Sequence, residues 1–185
     1  SDPIQLAEAA SICQSRGYDE INLNVGCPSD RVQFGSFGAV LMKQPKLVAS
    51  CCEAMKKSTS VDITVKCRIG VDDQDPEQIL PEFLNHISNS GVRRVIIHAR
   101  KAILKGLSPK ENRDIPPLDH ELVFRMKEKF PNLHISLNGG VTSLSAANEL
   151  LTKGIDGVMI GRSAYQQPTR VLSEVDRQIF EEEPI

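Results

Sequence analysis

The chain has 185 residues and is 40% hydrophobic, so its length favours one domain and its apolar content is enough to fill one core. The formal net charge is −2, and the chain as a whole therefore lacks the basic excess typical of nucleic-acid-binding proteins. Apolar runs fall short of the roughly 18–20 residues that a membrane helix needs. The start at Ser1 has neither a signal-peptide nor a transit-peptide pattern, and its lack of Met predicts a truncated start.

The first predicted element is a helix. Asp2 and Pro3 form a capping side chain followed by a first-turn proline, and apolar residues then recur at helical spacing until Gly17. A strand is predicted next, at about 20–25, and a glycine-containing loop separates it from a second helix over 45–57.

Strands and helices continue to alternate along the rest of the chain. The predicted pairs, in chain order, are 61–67 with a helix from Asp75 to Gly91, 94–98 with 118–130, 133–137 with 143–153, and 157–160 with 169–181. Strict alternation with nearly continuous apolar strands predicts a parallel sheet covered by helices. An open doubly wound sheet could stop at five strands, whereas a (β/α)8 barrel cannot close with five.

Each predicted strand ends in polar or glycine-rich residues. The endings are Asn24-Val-Gly-Cys27-Pro, Lys66-Cys-Arg68-Ile-Gly, His98-Ala-Arg100-Lys, Asn138-Gly139-Gly140 and Gly161-Arg162. The carboxyl ends of parallel strands lie at one edge of the sheet, where ligands bind and chemistry occurs. Five such endings in succession therefore predict one site assembled at that edge.

Cys27 is the candidate reactive group of this edge. It lies between Gly26, which allows close backbone approach, and Pro28, which fixes the exit of the chain. The alternative is that the thiol packs as a small hydrophobe, as free cysteines usually do.

The five cysteines, Cys13, Cys27, Cys51, Cys52 and Cys67, are odd in number and have no CxxC spacing. This argues against a disulfide framework or a metal site and for a reducing compartment, with the cytoplasm favoured over an organelle. The vicinal pair lies in a predicted helix and is expected to pack in the core.

The last two endings predict a phosphate cradle. Glycines allow backbone N–H groups to approach an anion, and a helix N-terminus follows each ending. Barrels hold phosphate in the loops after strands seven and eight, so the five strands would be numbers four to eight with three missing. An ordinary turn is the alternative interpretation of Gly139-Gly140.

Three basic features surround the predicted site. Lys66 ends an otherwise apolar strand and could place a cation beside an electron-rich ring, unless it is simply solvated. His98 could hydrogen-bond a ligand or carry a proton, or could be a satisfied core histidine. The region from Arg93 to Lys110 contains basic residues and no acidic one, which suits a phosphate-rich polymer but is also typical of a solvated face.

The chain resembles the tRNA-dihydrouridine synthases, and within them the bacterial-type A branch that acts in the D-loop. The resemblance runs the full length, and its most specific motif is Ser108-Pro-Lys-Glu-Asn-Arg113. The other motifs are Asn24-Val-Gly-Cys27-Pro-Ser-Asp-Arg-Val-Gln, Phe37-Gly-Ala, Val65-Lys66-Cys-Arg68-Ile-Gly, Ile97-His98-Ala-Arg100-Lys-Ala, Asn138-Gly139-Gly140 and Gly157-Val-Met-Ile-Gly161-Arg162.

This resemblance implies an FMN-dependent (β/α)8 TIM barrel that reduces a uridine in tRNA, with NADPH as the reductant. Cys27 would be the general acid that protonates C5, a role that suits thiols because they are mostly protonated near neutral pH. The flavin would be bound by Lys66, His98, Asn138, Gly139, Gly140, Gly161 and Arg162. The tRNA would be contacted by Asn24, Arg68, Arg100, Lys110 and Arg113.

Departures from the family pattern accompany the resemblance. The first three strands of the barrel and the helical C-terminal domain are expected to be absent, so that residues 1–185 would form a partial FMN-binding domain, expected to be monomeric. Family members usually have asparagine at the position of Phe34. Two alternatives remain open: another FMN barrel, such as a dihydroorotate dehydrogenase or an ene-reductase, and a non-catalytic RNA-binding remnant.

Overall fold

The chain forms one five-stranded, wholly parallel sheet. It was analysed as a computed structural model that describes residues 1–29 and 36–182. The strands are Glu20–Val25 (β1), Asp62–Arg68 (β2), Arg94–His98 (β3), His134–Asn138 (β4) and Gly157–Met159 (β5). Every strand end lies within one residue of its predicted position, and strands 20–25 and 94–98 have the predicted bounds. The predicted α/β class is confirmed.

The strands are arranged in chain order, β1-β2-β3-β4-β5, and all neighbours are parallel. A doubly wound sheet reverses its winding at a switch point, and this sheet does not. Because crossovers between parallel strands are right-handed, an order without reversal puts the connecting helices on one face of the sheet. The sheet is therefore singly wound: each strand is added on the same side of the previous one.

The helices are α1 (Pro3–Ser15), α2 (Pro45–Ser58), α3 (Pro76–Asn89), α4 (His120–Lys129), α5 (Leu144–Thr152), α6 (Arg162–Gln166) and α7 (Pro168–Leu172). Side-chain caps explain where α1, α3, α4 and α5 begin. Asp2 Oδ1 accepts hydrogen bonds from the backbone N–H groups of Ile4 and Gln5 at 2.8 and 3.0 Å, and Asp119 caps α4. The predicted start of α4 at residue 118 was early because Asp119 is its cap.

The prediction of one helix over 169–181 is wrong. After α7 the chain turns at Ser173 and then forms a π-helical turn, Asp176–Phe180. The Ser173 hydroxyl donates to the Thr169 carbonyl, and α7 buries Val171 alone. A helix with so little buried surface gains little stability from packing. A serine hydroxyl that bonds the carbonyl four residues earlier also favours the interruption of a helix.

The two faces of the sheet differ in composition. On β2, Val65 and Cys67 are fully buried in the main core, which fills the space between the strands and helices α2 to α5. The alternate residues Thr64, Lys66 and Arg68 point to the opposite face because side chains alternate along a strand. The predicted core packing of Cys51 and Cys52 is confirmed, since both are buried.

All five cysteines are free thiols. Among residues 1–29 and 36–182, no helix has the length and apolarity to cross a membrane. The predicted loop residue Gly35, the Phe34 departure and the motif residues Asp30-Arg-Val-Gln33 lie outside the described residues.

Candidate active site

A cavity of about 760 Å³ opens on the polar face of the sheet, at the edge where the strands end. Its lining unites most of the predicted site residues: Cys27, Asn24, Lys66, Arg68, His98, Arg113, Asn138, Gly139, Gly140, Gly161 and Arg162. Two predicted tRNA contacts, Arg100 and Lys110, do not line it. Parallel strands thus bring residues from the two ends of the chain to one edge, as the strand endings predicted.

Asn24 shapes the turn that carries the thiol. Its Oδ1 accepts hydrogen bonds from the backbone N–H groups of Gly26 and Cys27 at 3.0 and 3.1 Å, which closes an Asx-type turn at the end of β1. The Cys27 carbonyl in turn accepts from Ala39 N at 2.8 Å. Cys27 is partly exposed and faces the cavity, outside the hydrophobic core.

His98 is a buried, neutral residue of the cavity. It pairs in register with Arg68 on β2 and with Asn138 on β4. Burial lowers its pKa to about 2, and the cations of Arg68 and Lys66 contribute in the same direction. So low a pKa favours the neutral imidazole at physiological pH, which suits a hydrogen bond to a ligand better than the proton-carrier role that the sequence left open.

Lys66 lies beside Asn24 in the sheet register. Burial lowers the pKa of its ammonium group, and the neighbouring Arg68 cation does the same. A cation held in such surroundings interacts more strongly with an anionic ligand than a solvated lysine does.

Both glycines of the 139–140 loop have positive φ, +113° and +75°. A Cβ on Gly139 would lie 2.7 Å from His98 Cδ2, and one on Gly140 would lie 2.5 Å from Leu118 Cδ1. The His120 Nε2–H donates to the Gly139 carbonyl at 2.9 Å. The loop therefore requires glycine because it packs directly against His98 and Leu118.

The second glycine ending is more open. A Cβ on Gly161 would meet no atom within 4 Å. Arg162 makes a 2.8 Å ion pair with Asp114, and its Nη2 also donates to the Arg113 carbonyl at 3.4 Å. Asp114 was missed in the sequence because its partner is 48 residues away (162 − 114) on another element.

Arg68 is 3% exposed and connects two loops. Its Nε donates to the Gly26 carbonyl at 3.2 Å, and its Nη1 donates to the carbonyls of Asn112 and Lys101 at 2.8 and 3.2 Å. Burial, with the cations of Arg100 and Arg113, lowers the pKa of its guanidinium to about 10, so it stays charged at neutral pH. These three hydrogen bonds therefore all bind backbone carbonyls of the protein.

The basic run does not form a single patch around the site. Arg94 lies at the start of β3, at the opposite end of the strand from the cavity, and pairs with Glu20 at 2.8 Å. Arg100 donates to the Pro116 carbonyl, and its Nε is buried without a hydrogen-bond partner. The expectation that this run surrounds the site is therefore wrong, because none of its Arg and Lys residues, all of which the structure describes, lines the cavity, whereas Arg113, which follows the run, does.

The cavity lining is cationic. Lys66, Arg68, Arg113 and Arg162 contribute positive charge, and no Asp or Glu of the described residues lines the cavity. This composition favours an anionic ligand. In the described ranges, no group of three or more His, Cys, Asp or Glu side chains could hold a metal ion.

Some lining residues were not predicted: Asn22, Pro109, Val141, Thr142, Met159, Ser163 and Gln166. The period of two along a strand is a signal for Asn22, which shares the face of Asn24. Met159 had no such signal, because an apolar residue in a strand is indistinguishable from a core residue.

Comparison with known proteins gives a family match along the whole chain. The family model described as dihydrouridine synthase (Dus) matches residues 1–185. The tRNA-dihydrouridine(20/20a) synthase of Salmonella typhi is 58% identical over 181 residues, which are 97% of this chain and 54% of that protein. The enzyme of the same name from Escherichia coli (strain K12) is 56% identical, with 97% and 52% covered. The chain thus spans about half the length of these curated relatives.

A solved structure shares the fold. The crystal structure of a putative phosphonomutase from Burkholderia cenocepacia J2315 aligns with a TM-score of 0.56, over 82% of this chain and 64% of the other. Its sequence identity is 14%, so the likeness concerns the fold alone.

Proposed function

Because this chain belongs to the dihydrouridine synthase family, we propose that it contributes the catalytic edge of an enzyme that reduces uridine to 5,6-dihydrouridine in the D-loop of tRNA. One observation carries the proposal: a partly exposed thiol and two glycine endings from distant strands line the same cationic cavity. The twin-glycine loop also packs on a neutral histidine, which suits the recognition of a polar ring.

The proposed cofactor is FMN, and the residues present fit it. Phosphate binding is assigned to Asn138, Gly139, Gly140, Gly161 and Arg162, and contacts with the ring to Lys66 and His98. The open space around Gly161 leaves its backbone accessible, and Arg162 supplies a cation there. Bound FMN, recharged by NADPH, would supply the hydride for C6 of the uridine.

We assign Cys27 the role of general acid toward C5 of the uridine. The Asn24 turn holds the thiol at the cavity, and the Arg68 guanidinium fixes the carbonyl of the preceding glycine. Asn24 is assigned to the pyrimidine, which must leave the base stack to reach the thiol. Lys110 and Arg113 are assigned to the tRNA backbone, because both are exposed cations, Arg113 lines the cavity, and Lys110 follows Pro109, which also lines it.

The proposed architecture is a (β/α)8 barrel to which this chain contributes strands four to eight. The unreversed strand order supports it, as do glycine endings on the last two strands. The inner face of such a barrel would be the polar face that carries the cavity. Residues 1–185 would then be one part of an FMN-binding catalytic domain.

The test uses the protein in its full natural length. Purified protein is expected to show flavin absorbance and, with NADPH, to form dihydrouridine in unmodified tRNA, as measured by nucleoside mass spectrometry. Oxidation of dihydroorotate to orotate, or NADPH-dependent reduction of an activated alkene, without activity on tRNA would favour another FMN barrel. A colourless protein that binds tRNA would favour an RNA-binding remnant and contradict the proposal.

A further inference from the structure

The 103–115 loop contains one fully buried polar residue, Asn112, which is 0% exposed. The sequence neighbours Glu111 and Arg113 are exposed, as is Lys110. A buried amide in an exposed basic loop must have its hydrogen bonds satisfied within the protein. Asn112 therefore marks the point at which this loop is attached to the fold.

The Asn112 side chain binds the backbone of its own loop from inside. Its Oδ1 accepts from Ile103 N at 2.7 Å, and its Nδ2 donates to the carbonyls of Ile103, Leu107 and Ser108 at 2.8, 3.1 and 3.3 Å. One amide thus closes the loop across nine residues. An aspartate has the same shape, but in its ionised form it cannot donate to these carbonyls.

The loop is also capped at its short helical turn. Ser108 N donates to Glu111 Oε2 at 2.8 Å, and Glu111 N donates to Ser108 Oγ at 3.2 Å, which is the reciprocal pattern of a capping box. The following residue, Asn112, is buried by this turn, whereas Lys110 and Arg113 remain exposed.

Arg68 connects this closed loop to the thiol. Its Nη1 donates to the Asn112 carbonyl at 2.8 Å, and its Nε donates to the carbonyl of Gly26, the residue before Cys27. The position of the basic loop is thereby tied to the position of the thiol through one buried guanidinium.

We propose that Asn112 is a positioning residue, which holds Lys110 and Arg113 in a fixed relation to the Cys27 loop so that a bound tRNA presents its base to the thiol. The inference rests on the proposed function and adds a residue that acts through others. Asn112 contributes order within the loop and makes no contact with the cavity.

The test compares Asn112→Asp with the matched control Asn132→Asp, an exposed asparagine at the far end of the sheet, in the protein of full natural length. Asn112→Asp is expected to weaken tRNA binding about tenfold and to lower its salt slope by about 1. KM for tRNA should rise, while turnover at saturating tRNA and FMN affinity change less than about threefold. The control should match the wild type.

A double-mutant cycle identifies the route of the effect. In a Lys110→Ala/Arg113→Ala background, Asn112→Asp should have no further effect on tRNA affinity, because the residues it positions are gone. Full additivity, or wild-type affinity of the single variant, would overturn the inference. Ser108→Ala, at an exposed position, tests the same loop without burying a charge and should give a smaller effect of the same kind.

Limited trypsin digestion separates this inference from the proposed function. Cleavage after Lys105 and Lys110 should accelerate in Asn112→Asp and not in Asn132→Asp, with or without tRNA. Wild-type protein that binds no tRNA would contradict the proposed function and, with it, the role of Asn112 in positioning the residues that bind tRNA. Unchanged cleavage in Asn112→Asp would show that the amide does not order the loop.

Discussion

On β2, Val65 and Cys67 point to the helices and are fully buried, whereas their neighbours Lys66 and Arg68 point to the cavity. The same alternation holds on β3, where Ile97 belongs to the core and His98 to the site. Each strand therefore contributes to stability with one face and to chemistry with the other. Adjacent residues of one strand face opposite sides. A substitution at one of them therefore tests stability, and a substitution at the next tests the site.

The core and the cavity also give cysteine thiols different environments. Burial raises the pKa of Cys67 to about 12, so this thiol stays neutral in the core. Cys27 lies past the end of β1, is partly exposed and lines the cavity. Position relative to the strand end, rather than residue type, thus separates a cysteine that packs in the core from one that is open to a ligand in the cavity.

The largest expected effect is on turnover, from Cys27→Ala. Loss of the general acid should lower the rate of dihydrouridine formation by about 100-fold or more, because proton donation typically contributes 10²–10⁴-fold. Bound flavin should remain. The rate is measured under single-turnover conditions with pre-reduced protein.

Cys13→Ala is the matched control for this prediction. Cys13 is also a partly exposed free thiol, but it lies on α1 and does not line the cavity. Its loss should leave the rate unchanged. Undiminished dihydrouridine formation by Cys27→Ala would remove the thiol from the mechanism.

The features that were predicted correctly are those that short stretches of sequence determine. Strand 94–98 was found because Val95-Ile-Ile97 is an apolar run between basic residues, and the cavity was found because Cys27 and Gly139 follow the ends of their strands. In a parallel sheet, strand direction alone brings those ends to one edge. The shared cavity therefore followed without any knowledge of contacts, whereas the residues alone left the strand order open between a doubly wound sheet and part of a barrel.

The features that were missed depend on pairs of residues distant in sequence. Arg94 appeared to belong to the basic loop, but its partner Glu20 is 74 residues away. The hydrogen bonds of Arg68 to the carbonyls of Gly26 and Asn112, 42 and 44 residues away, were likewise not predicted, whereas its contact with tRNA stays a prediction. Register between strands determines such pairs, and local composition does not report it.

The next largest effect is on stability, from Ile97→Ala. Ile97 is fully buried, so its truncation should lower the free energy of unfolding by about 2–5 kcal/mol. The control Ile96→Ala lies on the opposite face and is partly exposed, and about 1 kcal/mol or less is expected. Urea unfolding followed by circular dichroism measures both. Equal losses would show that the two faces are equally covered.

The two glycine endings should respond differently to one added methyl group. Gly139→Ala should destabilise the fold by about 1–3 kcal/mol, because φ is +113° and the Cβ would lie 2.7 Å from His98 Cδ2. Gly161→Ala meets no neighbour and should leave stability unchanged within about 0.5 kcal/mol. It should nevertheless weaken FMN binding about tenfold if its backbone holds the phosphate. Thermal unfolding and flavin titration distinguish the two effects, and unchanged FMN affinity in Gly161→Ala would remove Gly161 from the phosphate site.

The smallest expected effect is a pH dependence that belongs to His98. Its pKa is about 2 in the fold against an ordinary value of 6.5, because burial and the cations of Arg68, Lys66, Arg100 and Arg162 disfavour its charged form. Below pH 6.5 the unfolded chain takes up a proton that the folded chain does not. The stability contributed by the neutral imidazole is therefore present above pH 6.5 and is lost as the pH falls toward 2.

Between pH 7 and pH 5.5, flavin-free protein should lose about 1 kcal/mol of unfolding free energy through this residue. His98→Gln keeps a hydrogen-bonding side chain but does not titrate, so its stability should fall by about 1 kcal/mol less over the same interval. His134, whose pKa is also lowered by burial, remains in both proteins and cancels in the comparison. Urea midpoints at the two pH values measure the difference. Parallel losses in both proteins would mean that His98 is accessible to protons, and the polar face would then be more open than its buried imidazole indicates.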